Sequence, residues 1–352
     1  MRALRIGSNI AVTVAGLAVA GAVAAVLIAA AGVAPANAIT HMATYAAMPS
    51  TVSLILDTAT VYFLAGIAVA IGLRAGMFNI GVNGQYLLGA LAAGAVVGPM
   101  HAGATATLAV AITIAAGTGA AWAGIAAWLR TSRGVSEVIS TIMLNFVALA
   151  VMSLVLIRTP VGVEIGMNMR GTQPLADDSR LGTVGGVTAF LPVATAIGAA
   201  YWLVIKRTRW GFDLRATGQS PEVARTGGVD TTRMRAGSLV LSGAVAGLAG
   251  LPYLLGDAGT YSLTFPREWG WTGIAVALIG RNSALGVALA SLLWAYLDIA
   301  SGQLVIDGVP REVTMVLQGL LVIIAVLGYQ IAERWQTRVD KARVVAAAGG
   351  SA

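Results

Sequence analysis

Apolar runs long enough to cross a bilayer recur from one end of this chain to the other, with short polar segments between them. Ten such segments are read, at roughly 9–34, 52–73, 84–98, 104–129, 138–157, 187–205, 236–256, 270–280, 284–303 and 314–332. Eight approach or exceed the length needed to cross about 30 Å of hydrocarbon. Lipid offers no partner for a backbone N–H or C=O, so spanning segments of this length are helices, and the fold class is an all-α integral membrane protein. Composition agrees: 57% of the 352 residues are hydrophobic and 11% are charged, where a soluble domain carries about 25% charge. The 44 glycines let such helices pack closely. Segments 84–98 and 270–280 are short and lie near glycines, the pattern of broken or re-entrant helices. Irregular backbone at that depth is tolerated only where protein buries it or it lines a wet cavity.

Charge fixes the expected orientation. With the N-terminus inside and sides alternating, only Arg158, Arg170, Arg180, Arg267 and Arg311 of the 22 basic residues fall outside, leaving 17 inside. This is the positive-inside asymmetry, and it places both termini in the cytoplasm. It also accounts for the net charge of +7 as membrane topology, with no nucleic-acid partner. The N-terminal stretch with Arg2 and Arg5 is read as an uncleaved first span, because 9–34 exceeds the usual signal-peptide core of about 7–15 residues, although Ala36-Asn37-Ala38 has the form of a cleavage site. The chain is expected to be one transmembrane domain over 1–352. It has an external polar segment at 158–186, a cytosolic segment at 206–235 with seven of the 17 inside charges, and a disordered tail at 344–352.

Several chemistries are excluded or disfavoured. There is no cysteine, so disulfides and thiolate sites are out. The two histidines, His41 and His101, are far apart, and no metal role is expected. No nucleophile–base constellation is visible, and no G-x-x-x-x-G-K-[ST] phosphate loop occurs. No cofactor is therefore expected in this chain.

Four places carry candidate function. In GLRAGMFNIGVNGQ, from Gly72 to Gln85, Asn79, Asn83 and Gln85 bring amides to membrane depth beside a short span. Amides there either line a solute path, where they can donate to and accept from a sugar hydroxyl or base edge, or tie helices together. Asn79 and Asn83 would share a face if this stretch were helical. In GVSEVISTIMLN, Ser136 is expected to cap a helix with Glu137 in its first turn, and Asn145 suits path or helix contact equally. Asp57 and Asp298 are acids within spans, candidates for function by default. Asp57 also suits a solvated helix end, and Asp298 suits a ribose contact, proton coupling or a structural carboxyl. Finally, Ser220, Pro221 and Glu222 form a helix start, with Gly227 and Gly228 its stop. A helix of two turns is too short to stand alone, so either a soluble partner or the chain's own bundle packs on it.

At these residues the chain resembles the permeases of bacterial ABC importers of the branched-chain amino acid, ribose and nucleoside superfamily, most closely the nucleoside branch served by basic-membrane-protein-type lipoprotein receptors. The carrying motifs are GLRAGMFNIGVNGQYLLGA at 72–90, GVSEVISTIMLN at 134–145, RWGFDLRATGQSPEVARTGG at 209–228 and WGWTGIAVALIGRNSALG at 269–286. The resemblance implies that 220–228 is the coupling helix held by an ATPase, with Ser220, Pro221, Glu222, Arg225 and Gly227 as its contact residues. It also implies that 72–90, with Phe78, Asn79, Asn83 and Gln85, and the neighbouring short spans border the translocation path; Asn145 and Asp298 are candidates for that path on their own chemistry. The family more often has Glu at position 83, so a role needing charge does not carry over to Asn83. The implied partners are an ABC ATPase holding ATP and magnesium, a second, shorter permease and a solute-binding lipoprotein, all at the bacterial cytoplasmic membrane. The transported solute is expected to be a nucleoside or simple sugar. The alternative is a proton-coupled secondary transporter using Asp298 or Asp57.

Overall fold

A computed structural model of the chain describes residues 21–323 except 24, 31, 168, 307, 314, 317 and 321. The expected tail at 344–352, most of the tenth segment and the start of the first lie outside the described residues. The chain divides into two compact units, one holding 21–48 with 296–323 and the other Pro49–Ala295.

In the first unit, α1 (Gly21–Ala30) and α2 (Pro35–Ala46) meet at 108°. Gly32, at φ 84°, makes the break, and Pro35 starts the new helix. The first segment was read as running to residue 34, so its end is corrected to Ala30, and α2 was not foreseen. Ile28, Ala38, Leu304 and Val309 form the buried cluster of this unit.

The second unit is built from α3 (Pro49–Arg74), α4 (Val82–Val97), α5 (Gly103–Arg133), α6 (Glu137–Arg158), α7 (Leu191–Arg207), α8 (Arg209–Gln219), α9 (Pro221–Thr226), α10 (Thr231–Leu248), α11 (Leu251–Tyr253), α12 (Trp269–Ile279) and the start of α13 (Ala284–Ile306). Leu254–Ala258 prolongs α10 and α11 as a π turn, so Thr231–Ala258 acts as one span. Five helices among the described residues are long and apolar enough to cross a membrane, or six if α1 and α2 form one broken span. The short segments emerge as short helices, α4 and α12, the former 16 residues and about 24 Å long. Nearly every residue of α3 from Ala59 to Gly72 is buried. A helix apolar on all sides belongs at the centre of its bundle.

The segment between α6 and α7 folds into two antiparallel hairpins. One pairs β1 (Val163–Gly166) with β2 (Met169–Gly171), and the other pairs β3 (Thr183–Val184) with β4 (Val187–Thr188). Gly185 and Gly186, at φ 62° and 83°, supply the two left-handed positions of the second turn. Residues 187–188 are thereby used in a strand, and α7 starts at Leu191. The hairpins are tied down: Thr172 N–H donates to the Tyr261 carbonyl at 2.8 Å, Leu175 N–H to that of Gly259 at 2.8 Å, and Thr188 N–H to Asp57 Oδ1 at 2.8 Å. Asp57 therefore holds the second hairpin.

Two further differences concern helix starts. Ser136 occupies the N-cap of α6, but its hydroxyl makes no cap bond. The acid beside it does the anchoring instead: Glu137 pairs with Arg130 of α5 at 3.3 Å. A first-turn carboxylate there is also favoured by the helix dipole. Helix α8 was not foreseen; Thr208 caps it by accepting from Gly211 N–H at 3.0 Å.

Candidate functional site

Two regions of the Pro49–Ala295 unit carry the candidate residues. The first is the break between α3 and α4. Helix α3 ends with Gly76 at φ 70°, Met77 N–H bonding back to Gly72 and Gly76 N–H to Leu73. This double closure needs a left-handed residue, which glycine supplies. Helix α4 then starts at Val82 inside the protein, with orphan N–H groups and no water to take them. Side chains take that of Gly84 and those of Ile80 and Gly81 just before the helix. Asn79 Oδ1 accepts from Gly81 N–H at 3.0 Å, and Asn145 Oδ1 from Gly84 N–H at 2.8 Å. Thr141 Oγ1 accepts from Ile80 N–H at 3.3 Å. Asn145 Nδ2 donates to the Ile80 carbonyl at 3.0 Å.

The remaining amides lock this start to its neighbours. Asn79 and Gln85 form a reciprocal pair at 2.8 and 3.0 Å. Asn79 Nδ2 also donates to Ser242 Oγ on α10 at 2.8 Å, and Ser242 in turn donates to the Ala68 carbonyl at 2.6 Å. Asn83 Oδ1 accepts from Gly270 N–H at 3.2 Å, so it satisfies the first turn of α12. A Cβ on Gly270 would stand 2.5 Å from the Asn83 backbone, which is why that position is bare. Asn79, Asn83, Gln85 and Asn145 are all buried. Asn79 precedes α4, so it does not share a helix face with Asn83. Phe78 is half-buried at the same break.

Removing Asn145 tests this account. Asn145→Ala leaves the Gly84 N–H and the Ile80 carbonyl without partners, each worth about 1–3 kcal/mol when buried. The expected result is a clearly lowered unfolding temperature in detergent, read by intrinsic fluorescence. An unchanged midpoint contradicts the capping role.

The second region lies between α8 and α10. Ser220 caps α9, its hydroxyl accepting from Val223 N–H at 3.4 Å, with Pro221 in the first turn and Glu222 following. The helix closes with Gly228 at φ 82°. Only Ala224 is buried, while Glu222, Val223, Arg225 and Thr226 are exposed, Val223 at 69%. Arg225 Nε donates to Thr231 Oγ1 at 2.8 Å and so also braces the start of α10. Phe212 on α8 is 63% exposed. Asp298 lies half-buried on α13, in the other unit.

Two groupings were not read from the sequence. Gly119 of α5 meets Gly243 and Gly247 of α10 so closely that a Cβ on any of them would stand 2.1–2.4 Å from a facing carbonyl oxygen. The signal was present: Gly243 and Gly247 form a G-x-x-x-G pattern, and Ala115, Gly119 and Ala123 repeat small residues at the same spacing. Tyr86, Tyr253, Tyr261, Phe265 and Trp269 pack as one aromatic cluster with ring centroids 4.5–5.8 Å apart. It braces α4 against α12, and Tyr86 Oη donates to the Pro266 carbonyl at 2.7 Å.

The pattern of the family described as "Branched-chain amino acid transport system / permease component" matches residues 51–326. The chain is 36% identical to the glucose ABC transporter permease protein TsgB13 of Haloferax volcanii, over 76% of this chain and 74% of that protein. It is 32% identical to the guanosine ABC transporter permease protein NupP of Bacillus subtilis, over 77% and 80%. With the nucleoside ABC transporter permease protein NupB of Lactococcus lactis it shares 29% identity over 76% of each. No solved structure matches it.

Proposed function

The chain belongs to the family of branched-chain amino acid transport system permease components and is the membrane subunit of an ABC importer; on that premise we propose that it carries nucleosides, or a related simple sugar, inward across the bacterial cytoplasmic membrane. The observation that carries this reading is α9, a capped two-turn helix that seats Ala224 on its own bundle and holds Glu222, Val223 and Arg225 outward. Ser220, Pro221 and Gly227 set its start and end, and an ATPase carrying ATP and magnesium grips what it presents. Closure of that ATPase moves α9, and differential contact between its two states shifts the permease between outward and inward forms.

In the same proposal, ten segments cross or enter the membrane with both termini in the cytoplasm. Phe78 and the break from 72 to 90 border the path, with Asp298 at a separate position along it. Asn79, Asn83, Gln85 and Asn145 keep the shape of that border. A lipid-anchored receptor delivers the solute, and a second, shorter permease completes the pore. The names of the guanosine, nucleoside and glucose relatives support the solute class. ATP-driven relatives disfavour the proton-coupled alternative.

The test is uptake of labelled nucleoside or glucose into vesicles holding the chain with its partner subunits. ATP-dependent uptake is expected, and replacing Glu222 and Arg225 together by Ala is expected to lower receptor-stimulated ATP hydrolysis about tenfold, within the usual range of coupling energies, with membrane insertion intact. Uptake driven by a proton gradient without the ATPase contradicts the reading.

A further inference from the structure

The turn between α12 and α13 is closed in an unexpected way. Arg281 N–H bonds to the Leu278 carbonyl at 3.1 Å and Asn282 N–H to that of Ala277 at 3.0 Å. This is the same double closure that ends α3 and α9, where Gly76 and Gly228 supply the left-handed residue. Here Arg281 at φ 52° and Asn282 at φ 54° occupy left-handed backbone without glycine. Such conformations persist where surroundings over-determine them. The surroundings are visible. Arg74, the last residue of α3, donates to the Asn282 carbonyl through Nε at 3.1 Å and a terminal nitrogen at 2.7 Å. Tyr201 Oη of α7 donates to the same oxygen at 2.6 Å. Three hydrogen bonds from two helices thus converge on one carbonyl.

The backbone of Arg74 is held equally tightly on its other side. A Cβ on Gly218, in the last turn of α8, would stand 2.3 Å from the Arg74 carbonyl oxygen and 3.1 Å from Gly76 N. Gly218 is followed by Gln219 and then by Ser220, the cap of α9. Contacts therefore run from the cytosolic helix through Gly218 to Arg74, on to Asn282, and so to α12, whose far end rests on Asn83.

We propose that Arg74 is a positioning residue for transport: its grip on the Asn282 carbonyl passes movement of the α8–α9 segment to the left-handed turn and hence to the short helix α12. The inference rests on α9 being the ATPase contact. The turn moves as one piece with Arg74 and α8, clamped by Arg74 and Tyr201 in both transport states.

The chain has no cysteine, so two introduced ones are unique spin-label sites. Gln219→Cys and Ser283→Cys, both at exposed positions, bracket the clamp in the full reconstituted complex. In the otherwise unaltered chain the label-to-label distance should be the same with and without a non-hydrolysable ATP analogue. In Arg74→Ala it should differ between the two states, and uptake should fall about tenfold while receptor-independent ATP hydrolysis continues. Arg74→Lys, which keeps one donor, should fall between. If Arg74→Ala yields no folded complex, Tyr201→Phe carries the test through the same distance and uptake, with a smaller loss. Normal uptake in the variant that folds overturns the proposal, as does lost uptake with the distance unchanged in both states. Cross-linking Val223→Cys to the ATPase separates the two claims. A failed cross-link removes the α9 reading, whereas a good one with a silent Arg74 variant removes only the clamp.

Discussion

Replacing Gly247 with leucine abolishes the folded permease. At this position α10 crosses α5 with backbone against backbone: a Cβ on Gly247 would stand 2.1 Å from the Ala115 carbonyl oxygen. Gly89 of α4 also packs near this point, its own Cβ position 2.7 Å from the Gly247 carbonyl oxygen. Carbonyls in a helix do not yield as a flexible side chain does, so a leucine at 247 can be housed only by parting α10 from α5. Overpacking in a well-packed core typically costs about 1–3 kcal/mol and sometimes more; a leucine against rigid helix backbone goes beyond that range and takes most of a total stability of about 5–15 kcal/mol. Size-exclusion chromatography in detergent is expected to show aggregate and no monodisperse peak. Gly124 and Gly237 lie on the same two helices with nothing within 4 Å of an added Cβ, so leucine at either should leave the peak in place. A normal elution profile for Gly247→Leu would mean that the two helices do not cross there.

The second large effect is expected at Val223. Its side chain is 69% exposed and its neighbour Ala224 fills the seat on the bundle, so Val223→Asp should leave the unfolding temperature unchanged. In the ATPase groove the aspartate would be desolvated and unpaired, which costs several kcal/mol for a buried ion. ATP-driven uptake should fall about 100-fold, the size of a strong interface hot spot, with loss of ATPase co-purification. Wild-type uptake with the aspartate in place would take α9 out of the mechanism.

How far the sequence carried depended on how local each feature is. Helix α9 was legible to its cap, because serine, proline and the paired glycines act on their own backbone. The short helices were also legible: 84–98 and 270–280 correspond to Val82–Val97 and Trp269–Ile279. The amides of Asn79, Gln85 and Asn145 were recognisable as candidates by type, but their partners on α6 and α10 lie far along the chain, and no spacing rule names them. The same holds for Gly119, whose role depends on which helix faces it. Helix α8 was missed because its buried stripe, Gly211, Leu214 and Thr217, holds one large apolar residue between small ones, and its cap, Thr208, also ends α7. The Arg281–Asn282 turn runs against local preference, which favours glycine there. Its conformation follows from Arg74 and Tyr201, hundreds or scores of positions distant.

The amide lattice at the start of α4 also bears on how well the membrane stays sealed. A proton crosses a membrane along chains of water or of Asp, Glu and His. At this break Asn79, Gln85 and Asn145 bond to one another, to Ser242 and to main chain. A seam tied by groups that do not titrate gives protons no relay at that point.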